Sequence, residues 1–282
     1  MGAGTVKVQD NKVNVEKQFG MLRLELNGMN INDVSEITGL EKLKNLDALN
    51  LSGNEISELK GLDALSNLKQ LFLNSNKITD LKGLDSLTKL DRIFLNENQI
   101  TELKGLDKLT NLQWIELKNN KITELKGLEK LTNLVQLELE ENQISEINGL
   151  DTLTKLQKLD FSRNQITEIK GLKALTSLHM LLLDHNKITE IKGLDTLTNL
   201  GSLYLDNNQI TEIKGLDKLT KLETLYLDTN QITKIKGLNK FEKLGLLYLG
   251  SNPINVGGKE FTGDLNMMGV ENVKNFIKVH SK

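Results

Sequence analysis

Residues 112–131 read LQWIELKNNKITELKGLEKL, and this stretch decides the fold of the chain. The same pattern returns every 22 residues, so that an asparagine stands two residues before an isoleucine at positions 54, 76, 98, 120, 142, 164, 186, 208, 230 and 252. A constant period of this length is typical of a solenoid, in which each coil buries its apolar edge against neighbouring coils. The repeat therefore predicts a stack of coils, and we expect function on the surface that the repeats leave free.

The residue types within one coil indicate its geometry. Apolar residues at Leu112, Ile115 and Leu117 predict a short strand, and successive strands stack in parallel about 4.8 Å apart. The amide of Asn120 can both donate and accept, so stacking predicts a ladder of amides bonded to backbone groups at a bend. Gly127, which also recurs in the other coils, predicts a second bend. The short return segment predicts turns or 3₁₀ pieces instead of α-helices.

The run L-x-x-L-x-L-x-x-N-x-I is the leucine-rich-repeat signature. The segment that follows it, x-x-[I/L]-x-G-L-x-x-L-T, resembles the 22-residue class found in the regulatory subunit of protein phosphatase 1 and in bacterial internalins. This resemblance covers residues 22–254. It implies an α/β solenoid, a horseshoe with a parallel β-sheet on the concave face and with turns and short 3₁₀ pieces on the convex face. The end of the chain is similar to repeat arrays of prokaryotic and Roco-type proteins.

The two ends of the array are expected to be capped, because a solenoid that stops abruptly exposes its leucines. Residues 1–21 are predicted to form an N-terminal β-hairpin cap, with valines on both sides of the turn. Residues 22–254 form the array of about eleven coils, of which the first is irregular and has Met29 in the asparagine position. Residues 255–282 are predicted to form a C-terminal cap with a short helix, whose apolar positions are Val270, Val273, Phe276 and Ile277.

Composition narrows the classes of partner. A net charge of −2 over 282 residues argues against general binding to nucleic acid or to an anionic membrane, since both need a basic patch. No apolar run is long enough to span a bilayer. The absence of cysteine excludes a cysteine nucleophile and disulfide-bonded caps, which favours a cytoplasmic location, while export from a prokaryote stays open. We expect a monomer without a cofactor or a metal.

Sequence variation is concentrated at the strand positions that face away from the core. These positions form an aromatic patch, an acidic middle and a second aromatic strip beside aspartates. We predict that a protein partner binds there, through Phe72, Arg92, Phe94 and Trp114 in the first zone, Glu116, Glu138, Glu140 and Asp160 in the second, and Met180, Leu182, Asp184, Tyr204, Asp206, Tyr226, Asp228 and Tyr248 in the third.

Two interpretations of this zoned surface differ in what the side chains are for. Exposed Trp and Tyr are enriched at interface hot spots, and grouped carboxylates attract a basic or mixed-charge partner. Alternatively, the aromatics only pack across strands, and Lys118 and Lys158 neutralise the carboxylates. We favour the first, a non-enzymatic protein-binding module. By analogy with the phosphatase 1 regulator, its partner would be a phosphatase catalytic subunit.

Other functions are weaker alternatives. His179 and His185 lie in one coil beside Asp184 and within a few strands of Asp160 and Glu138, which suggests a hydrolase or a metal site, but their spacing matches no metal motif. The aromatic strips are also compatible with stacking on sugar rings. The near-identical convex segments are compatible with an engineered consensus scaffold.

Overall fold

The computed structural model describes residues 4–235, 238, 240–256, 259–260, 266–269, 271–272, 275 and 278–279. The chain divides into two compact units, Met1–Gln143 and Ile144–Lys282, here called unit 1 and unit 2. Each unit is a stack of coils in which one short strand per coil contributes to a parallel sheet. Of the predicted α/β solenoid, the stack of coils with a parallel sheet is therefore confirmed for each unit.

Unit 1 begins with a small antiparallel sheet, and its coils then build a larger one. The small sheet has the order β2-β1-β5, and the larger one runs β3-β4-β6-β7-β8-β9-β10, with β3 antiparallel to β4 and the others parallel. The strands are β1 Thr5–Val8, β2 Asn11–Asn14, β3 Glu16–Gln18, β4 Met21–Glu25, β5 Ile37–Thr38, β6 Ala48–Asn50, β7 Gln70–Phe72, β8 Arg92–Phe94, β9 Trp114–Glu116 and β10 Gln136–Glu138. The pairing of β1 with β2 confirms the predicted N-terminal hairpin.

Unit 2 continues the same design. Its sheet has the order β11-β12-β13-β14-β15-β18, in which only β18 is antiparallel to its neighbour, and β16 and β17 form a separate two-stranded pair. The strands are β11 Lys158–Asp160, β12 Met180–Leu182, β13 Ser202–Tyr204, β14 Thr224–Tyr226, β15 Leu246–Tyr248, β16 Asn255–Val256, β17 Lys259–Glu260 and β18 Asn266–Met268.

The core of each coil consists of leucine and isoleucine side chains that are withdrawn from water. Strand residues 22 apart pair in register, as Leu71 does with Ile93 and Leu181 does with Leu203, so equivalent side chains lie directly above one another. These four side chains are fully buried. Burial of each such side chain is worth about 1.5–3 kcal/mol, and the gain recurs in every coil because each coil covers the next.

The predicted asparagine ladder is present in both units. The repeat asparagines are buried, with 5–8 % exposure. Asn120 shows the pattern: its Nδ2 donates to the carbonyls of Leu95 at 2.9 Å and Leu117 at 3.1 Å, while its Oδ1 accepts from the N–H of Ile100 at 3.0 Å. Each amide thus bonds within its own coil and with the preceding one, which explains why the position needs a donor and an acceptor in one side chain.

The recurrent glycines form the second bend for two physical reasons. Gly127 has φ +112°, and a Cβ added there would lie 2.7 Å from the carbonyl oxygen of Leu103 in the preceding coil. Both the backbone conformation and the close approach therefore exclude a side chain. Five other glycines of the series combine a positive φ with a similarly close carbonyl oxygen of the preceding coil: Gly83, Gly105, Gly171, Gly193 and Gly215. Gly61 shares only the positive φ, and Gly237 lies outside the described residues. Turns make up the return segments in the described coils, as predicted.

The return segments of the two units differ in detail. From Gly61 to Gly127 the glycine φ is +93° to +112°, whereas from Gly149 to Gly215 it is +69° to +74°. The residue two positions before glycine changes at the same point from leucine to isoleucine, whose branched Cβ favours extended backbone. In unit 1 the adjacent lysines contact a carboxylate of their own coil, and in unit 2 they also reach the preceding coil, as Lys192 reaches Glu168.

The irregular first coil is accommodated without breaking the ladder. Leu24 pairs in register with Leu49, as predicted. Met29 occupies the asparagine position, and Asn54 compensates because its Oδ1 accepts from the backbone N–H groups of Met29 at 2.9 Å and Ile31 at 3.1 Å. The extra residues of this coil form a 3₁₀ helix at Val34–Glu36, and a second one follows at Leu40–Lys42.

A continuous C-terminal helix is not among the elements that the described residues define, although residues 271–272, 275 and 278–279 of the predicted segment are helical. Its predicted apolar positions, Val270, Val273, Phe276 and Ile277, lie outside the described residues. Before this segment, β18 pairs with β15 and covers its edge in unit 2, which the helical pattern did not predict. None of the helical segments in the described residues has the length and hydrophobicity of a membrane span.

The hairpin that joins β3 to β4 gives a first testable prediction. Its two-residue turn has φ +49° at Phe19 and +83° at Gly20, the signs of a type I′ turn, which favours Asn-Gly. Phe19 is 93 % exposed, so its ring gains no burial while its backbone is strained. We expect Phe19→Asn to stabilise the protein by about 1 kcal/mol, measured by urea unfolding. Phe19→Ala should leave the midpoint nearly unchanged, and an equal gain from both variants would contradict the turn argument.

Candidate functional site

The sheet face is the set of strand side chains that point away from the leucine core in each unit. In unit 1, Phe72 and Phe94 stack with ring centroids 4.5 Å apart and planes 3° apart, and Trp114 lies tilted 6.3 Å from Phe94. Arg23 lies over Phe72 at 4.8 Å, and Arg92 lies over Trp114 at 5.3 Å. The predicted aromatic patch is therefore a half-buried stack of rings, partly covered by the guanidinium groups of Arg23 and Arg92.

The predicted acidic residues of unit 1 are held by hydrogen bonds and an ion pair, some within their own strand and some with a neighbouring coil. Glu116 accepts from Asn96 Nδ2 at 2.7 Å and from the indole N–H of Trp114 at 3.0 Å. Glu140 forms an ion pair with Lys118 at 2.9 Å. Glu138 accepts a hydrogen bond from Gln136. The alternative interpretation, in which Lys118 neutralises part of the acidic zone, is thus confirmed for Glu140.

The unit 2 sheet face carries a ladder of three tyrosines. The centroids of Tyr204 and Tyr226 are 4.7 Å apart, and those of Tyr226 and Tyr248 are 4.2 Å apart, with nearly parallel rings. Burial raises the pKa of Tyr226 to about 12, with further contributions from a hydrogen bond to Tyr248 and from nearby charge. The phenol therefore stays protonated at neutral pH. The rings shield one another, so the strip is half-buried instead of fully exposed.

Beside the tyrosines lies a row of aspartates, of which Asp184 and Asp206 approach each other. Asp184 Oδ1 accepts from the Ser162 hydroxyl at 2.5 Å, and its Oδ2 lies 3.0 Å from His185 Nδ1. Asp206 accepts from Asn207 Nδ2 at 2.9 Å. Burial raises the pKa of Asp206, and the neighbouring Asp184 carboxylate adds to the rise. Negative charge is thus concentrated where solvent access is reduced.

The remaining predicted residues differ in accessibility. Arg92 is exposed, and Met180 and Leu182 are half-buried on the sheet face. Asp228 accepts from the backbone N–H of Gly250 at 2.9 Å. Asp160 is only 7 % exposed and accepts from the backbone N–H of Ser162 at 2.9 Å. Asp160 therefore bonds to the backbone locally and offers little surface to a partner.

The structure does not place His179 and His185 in one site, as the hydrolase alternative requires. His179 directly precedes β12, whereas His185 follows that strand by three residues, so the two lie beyond opposite ends of it. The ligand atoms of Asp184, His185 and Asp206 lie within 4.8 Å of one another, and this group includes neither His179 nor Asp160. The hydrolase alternative combined His185 with His179 and Asp160 and did not include Asp206, which stands 22 residues after Asp184 in the next coil.

Sequence reasoning also missed Arg23 and Asn96. Arg23 pairs in register with Ala48, so aligning the irregular first coil with the second would have placed it on the sheet face. Asn96 lies in the preceding coil and donates a hydrogen bond to Glu116. It stands two residues before Asn98, the buried asparagine of that coil, and this position is the sequence feature that could have identified it.

Family comparison agrees with this geometry. A model described as leucine-rich repeat matches residues 6–116, and a model described as leucine-rich repeats in two copies matches residues 110–152, 154–196, 176–218 and 198–240. The chain belongs to the leucine-rich-repeat family.

Solved structures similar to this chain include several bacterial proteins. An internalin, InlF from Listeria monocytogenes, shares 32 % identity and a TM-score of 0.70 over 82 % of this chain and 74 % of its own. The functional domain of InlJ from the same organism shares 28 % identity and a TM-score of 0.68, over 78 % of this chain and 47 % of its own. A leucine-rich-repeat protein of Leptospira interrogans shares 26 % identity and a TM-score of 0.64, over 83 % and 73 %. No curated protein matches the chain.

Proposed function

We propose that the protein is a non-enzymatic module that binds a protein partner on its sheet face. The observation that carries this proposal is the presence of two aromatic stacks, Phe72 with Phe94 and Tyr204 with Tyr226 and Tyr248, on surfaces bordered by charged side chains. Aromatic rings surrounded by polar groups are typical of interface hot spots. The leucine-rich-repeat family supports the proposal, because its members are generally interaction modules and not enzymes.

Packing between neighbouring strands is enough to explain why some of the aromatic residues stand on the sheet face. Stacked rings contribute about 0.5–1.5 kcal/mol per pair beyond their burial, so the ladder stabilises the sheet. Trp114 adds polar contacts to this packing, since its indole N–H donates to Glu116 and its ring lies against the guanidinium of Arg92. A polar and aromatic surface of this kind fits a partner of basic or mixed charge.

The proposal extends to the class of the partner and to the oligomeric state and location of the protein. A phosphatase catalytic subunit is the partner class that the analogy with the phosphatase 1 regulator predicts. A monomeric state, a cytoplasmic location and the absence of nucleic acid among the partners stay predictions, as do the boundaries at residues 21 and 254. Carbohydrate binding is the second candidate function, favoured by the run of three tyrosines on the unit 2 sheet face.

Substitutions on the sheet face are the test. Trp114→Ala and Tyr226→Ala should each weaken capture of a partner, identified by affinity purification with mass spectrometry, by about 1 kcal/mol or more. Glu138→Lys should slow association and reduce its dependence on salt. The measurement is a titration of purified partner, followed by thermal melting of each variant to separate lost binding from lost folding.

The convex surface supplies matched controls. Lys126→Ala and Glu124→Ala change charged residues of the return segment and should leave the affinity nearly unchanged. If the convex variants lose as much affinity as the sheet-face variants, the assignment of binding to the sheet face is wrong. Retention of full affinity by both Trp114→Ala and Tyr226→Ala would contradict it as well.

A further inference from the structure

Four consecutive coils of unit 2 present three rows of side chains with different chemistry on the sheet face. Strands β12, β13, β14 and β15 pair in register, so residues 22 apart lie side by side along each row. The rows are an apolar row of Leu182, Tyr204, Tyr226 and Tyr248, an aspartate row of Asp184, Asp206, Asp228 and Gly250, and an uncharged row of Met180, Ser202, Thr224 and Leu246. All of these residues are half-buried.

The stacking of the tyrosines determines which part of each ring a ligand can reach. Tyr226 lies between Tyr204 and Tyr248, with centroid distances of 4.7 and 4.2 Å and interplanar angles of 14° and 5°. A ligand that stacks on a π-face would therefore find both faces of Tyr226 largely covered. Aliphatic side chains can pack against the ring edges, because hydrophobic and dispersion contacts do not depend on direction in this way.

The uncharged row leaves space beside the tyrosine rings. Ser202 and Thr224 pair in register, and so do Tyr204 and Tyr226 on the same two strands. The two central rings therefore have small neighbours in the uncharged row, whereas the residues at both ends of that row are larger. Side chains of a partner can thus approach the ring edges from this side.

Negative charge lies on the opposite side of the apolar row. Asp184, Asp206 and Asp228 follow the same 22-residue register, and none of the residues in the three rows is lysine or arginine. A hydroxyl, a side-chain amide and a backbone N–H donate to these carboxylates and hold them in place, and His185 lies against Asp184. An apolar row with carboxylates along one side complements a partner whose apolar residues have cations along one side.

The spacing of the apolar row favours one secondary structure for this partner. The stacked rings repeat every 4.2–4.7 Å. An amphipathic α-helix presents apolar side chains once per turn, about every 5.4 Å, and the repeat is shorter in projection when the helix is inclined to the row. An extended strand presents the side chains of one face about every 6.6 Å. The row therefore matches a helix better than a strand.

We infer that the three rows bind an amphipathic helix of a protein partner, with basic residues of the helix along the aspartate row. Apolar residues at positions i, i+4 and i+7 of the helix pack on the ring edges, and its lysine or arginine side chains approach the carboxylates. The inference rests on the proposed function and names the secondary structure and the charge of the partner segment.

The test is fluorescence anisotropy with a matched set of three labelled peptides of about 14 residues, which is long enough for about four helical turns. The helical peptide has leucines at helical spacing and lysines along one side of them. The alternating peptide has the same composition with leucine and polar residues in strict alternation, and the acidic peptide has glutamate in place of each lysine. We expect the helical peptide to bind the full chain at least about tenfold more tightly than the other two.

Protein variants assign the binding to the rows. Tyr226→Ala should weaken binding of the helical peptide at least about tenfold. The double variant Asp206→Asn with Asp228→Asn keeps every ring and should weaken it at least about fivefold. The control double variant Asp151→Asn with Asp195→Asn removes the same charge from exposed turn positions of unit 2 and should change the affinity less than about twofold. Melting curves show which variants fold, and the Asp206 and Asp228 changes carry the test if Tyr226→Ala does not.

Four results would overturn the inference. The first is the absence of binding by the helical peptide, and the second is equal or tighter binding of the alternating or the acidic peptide. The third is an equal loss in the two double variants, which would indicate a general charge effect. The fourth is calorimetric binding of malto- or cello-oligosaccharides that Tyr226→Ala abolishes, without binding of the helical peptide, which would assign the rows to carbohydrate.

Failure of this inference is distinguishable from failure of the proposed function. If the helical peptide does not bind while Trp114→Ala and Tyr226→Ala still weaken partner capture, the helix assignment is wrong and the sheet face remains the binding surface. If those variants also leave capture unchanged, both are wrong. Displacement of a captured partner by the helical peptide, and not by the alternating peptide, would support both.

Discussion

Replacing Gly193 with alanine is expected to destabilise unit 2 by about 2–5 kcal/mol, from left-handed backbone strain of about 1–2 kcal/mol and overpacking of about 1–3 kcal/mol. Gly193 has φ +74°, and an added Cβ would lie 2.6 Å from the carbonyl oxygen of Ile169. That atom belongs to the backbone of the preceding coil, so relief requires the two coils to separate. Separation in turn weakens burial between them, on which a solenoid depends.

Two other glycines make the test specific. Gly61 shares the left-handed backbone, with φ +93°, but its added Cβ would lie 3.4 Å from a side-chain carbon of Val34. Gly201 has neither feature, since an added Cβ would lie 3.7 Å from the nearest atom, the carbonyl oxygen of His179. We expect the loss of unfolding free energy to increase from Gly201→Ala through Gly61→Ala to Gly193→Ala, measured by urea unfolding. Equal losses at Gly61 and Gly193 would show that close coil contact adds nothing.

The sequence predicted these backbone features well because the period itself carries the information. In-register stacking makes residues 22 apart neighbours, so a repeated asparagine must form a ladder and a repeated glycine must face the preceding coil. The identity of the buried residues follows from the same rule. Asp206, which lies close to Asp184 on the sheet face, also stands 22 residues away, and applying the rule to the sheet face would have predicted their approach.

Other features could not be predicted from the period. The stacking of Phe72 on Phe94 and the position of Arg23 over Phe72 depend on side-chain rotamers, which the spacing of residues does not determine. Strand β18 was missed because its segment carries apolar residues at helical spacing nearby, and a short strand has no signal strong enough to compete. Asp160 is buried and accepts a hydrogen bond from the Ser162 N–H, and the alternation of strand residues reveals neither feature.

Replacement of Asn208 in the middle of unit 2 is the second large effect that we expect. Its Nδ2 donates to the carbonyls of Leu183 at 2.9 Å and Leu205 at 3.1 Å, and its Oδ1 accepts from the N–H of Ile188 at 2.9 Å. The two carbonyls also accept from the neighbouring amides of Asn186 and Asn230. In Asn208→Leu the buried N–H of Ile188 is therefore the group left without a partner, at a cost of about 1–3 kcal/mol.

The comparison of Asn208→Leu with Asn208→Asp distinguishes the contribution of the Nδ2 donor to stability from that of the Oδ1 acceptor. Aspartate keeps an acceptor for the Ile188 N–H, yet it replaces the donating Nδ2 with an oxygen that would face the carbonyls of Leu183 and Leu205. Repulsion among buried oxygens and the cost of a buried charge should make Asn208→Asp the more destabilising variant at neutral pH.

Asn199→Leu is the control, because its amide donates to the Thr176 carbonyl and accepts from Lys221 Nζ at the exposed surface. Water can replace both partners there, so this variant should cost less than about 1 kcal/mol. Urea unfolding gives the free energy of unfolding of each of the three variants, and these values rank them. If Asn208→Asp were as stable as the parent, acceptance alone would suffice, and asparagine would recur in every coil without a physical need for its donor.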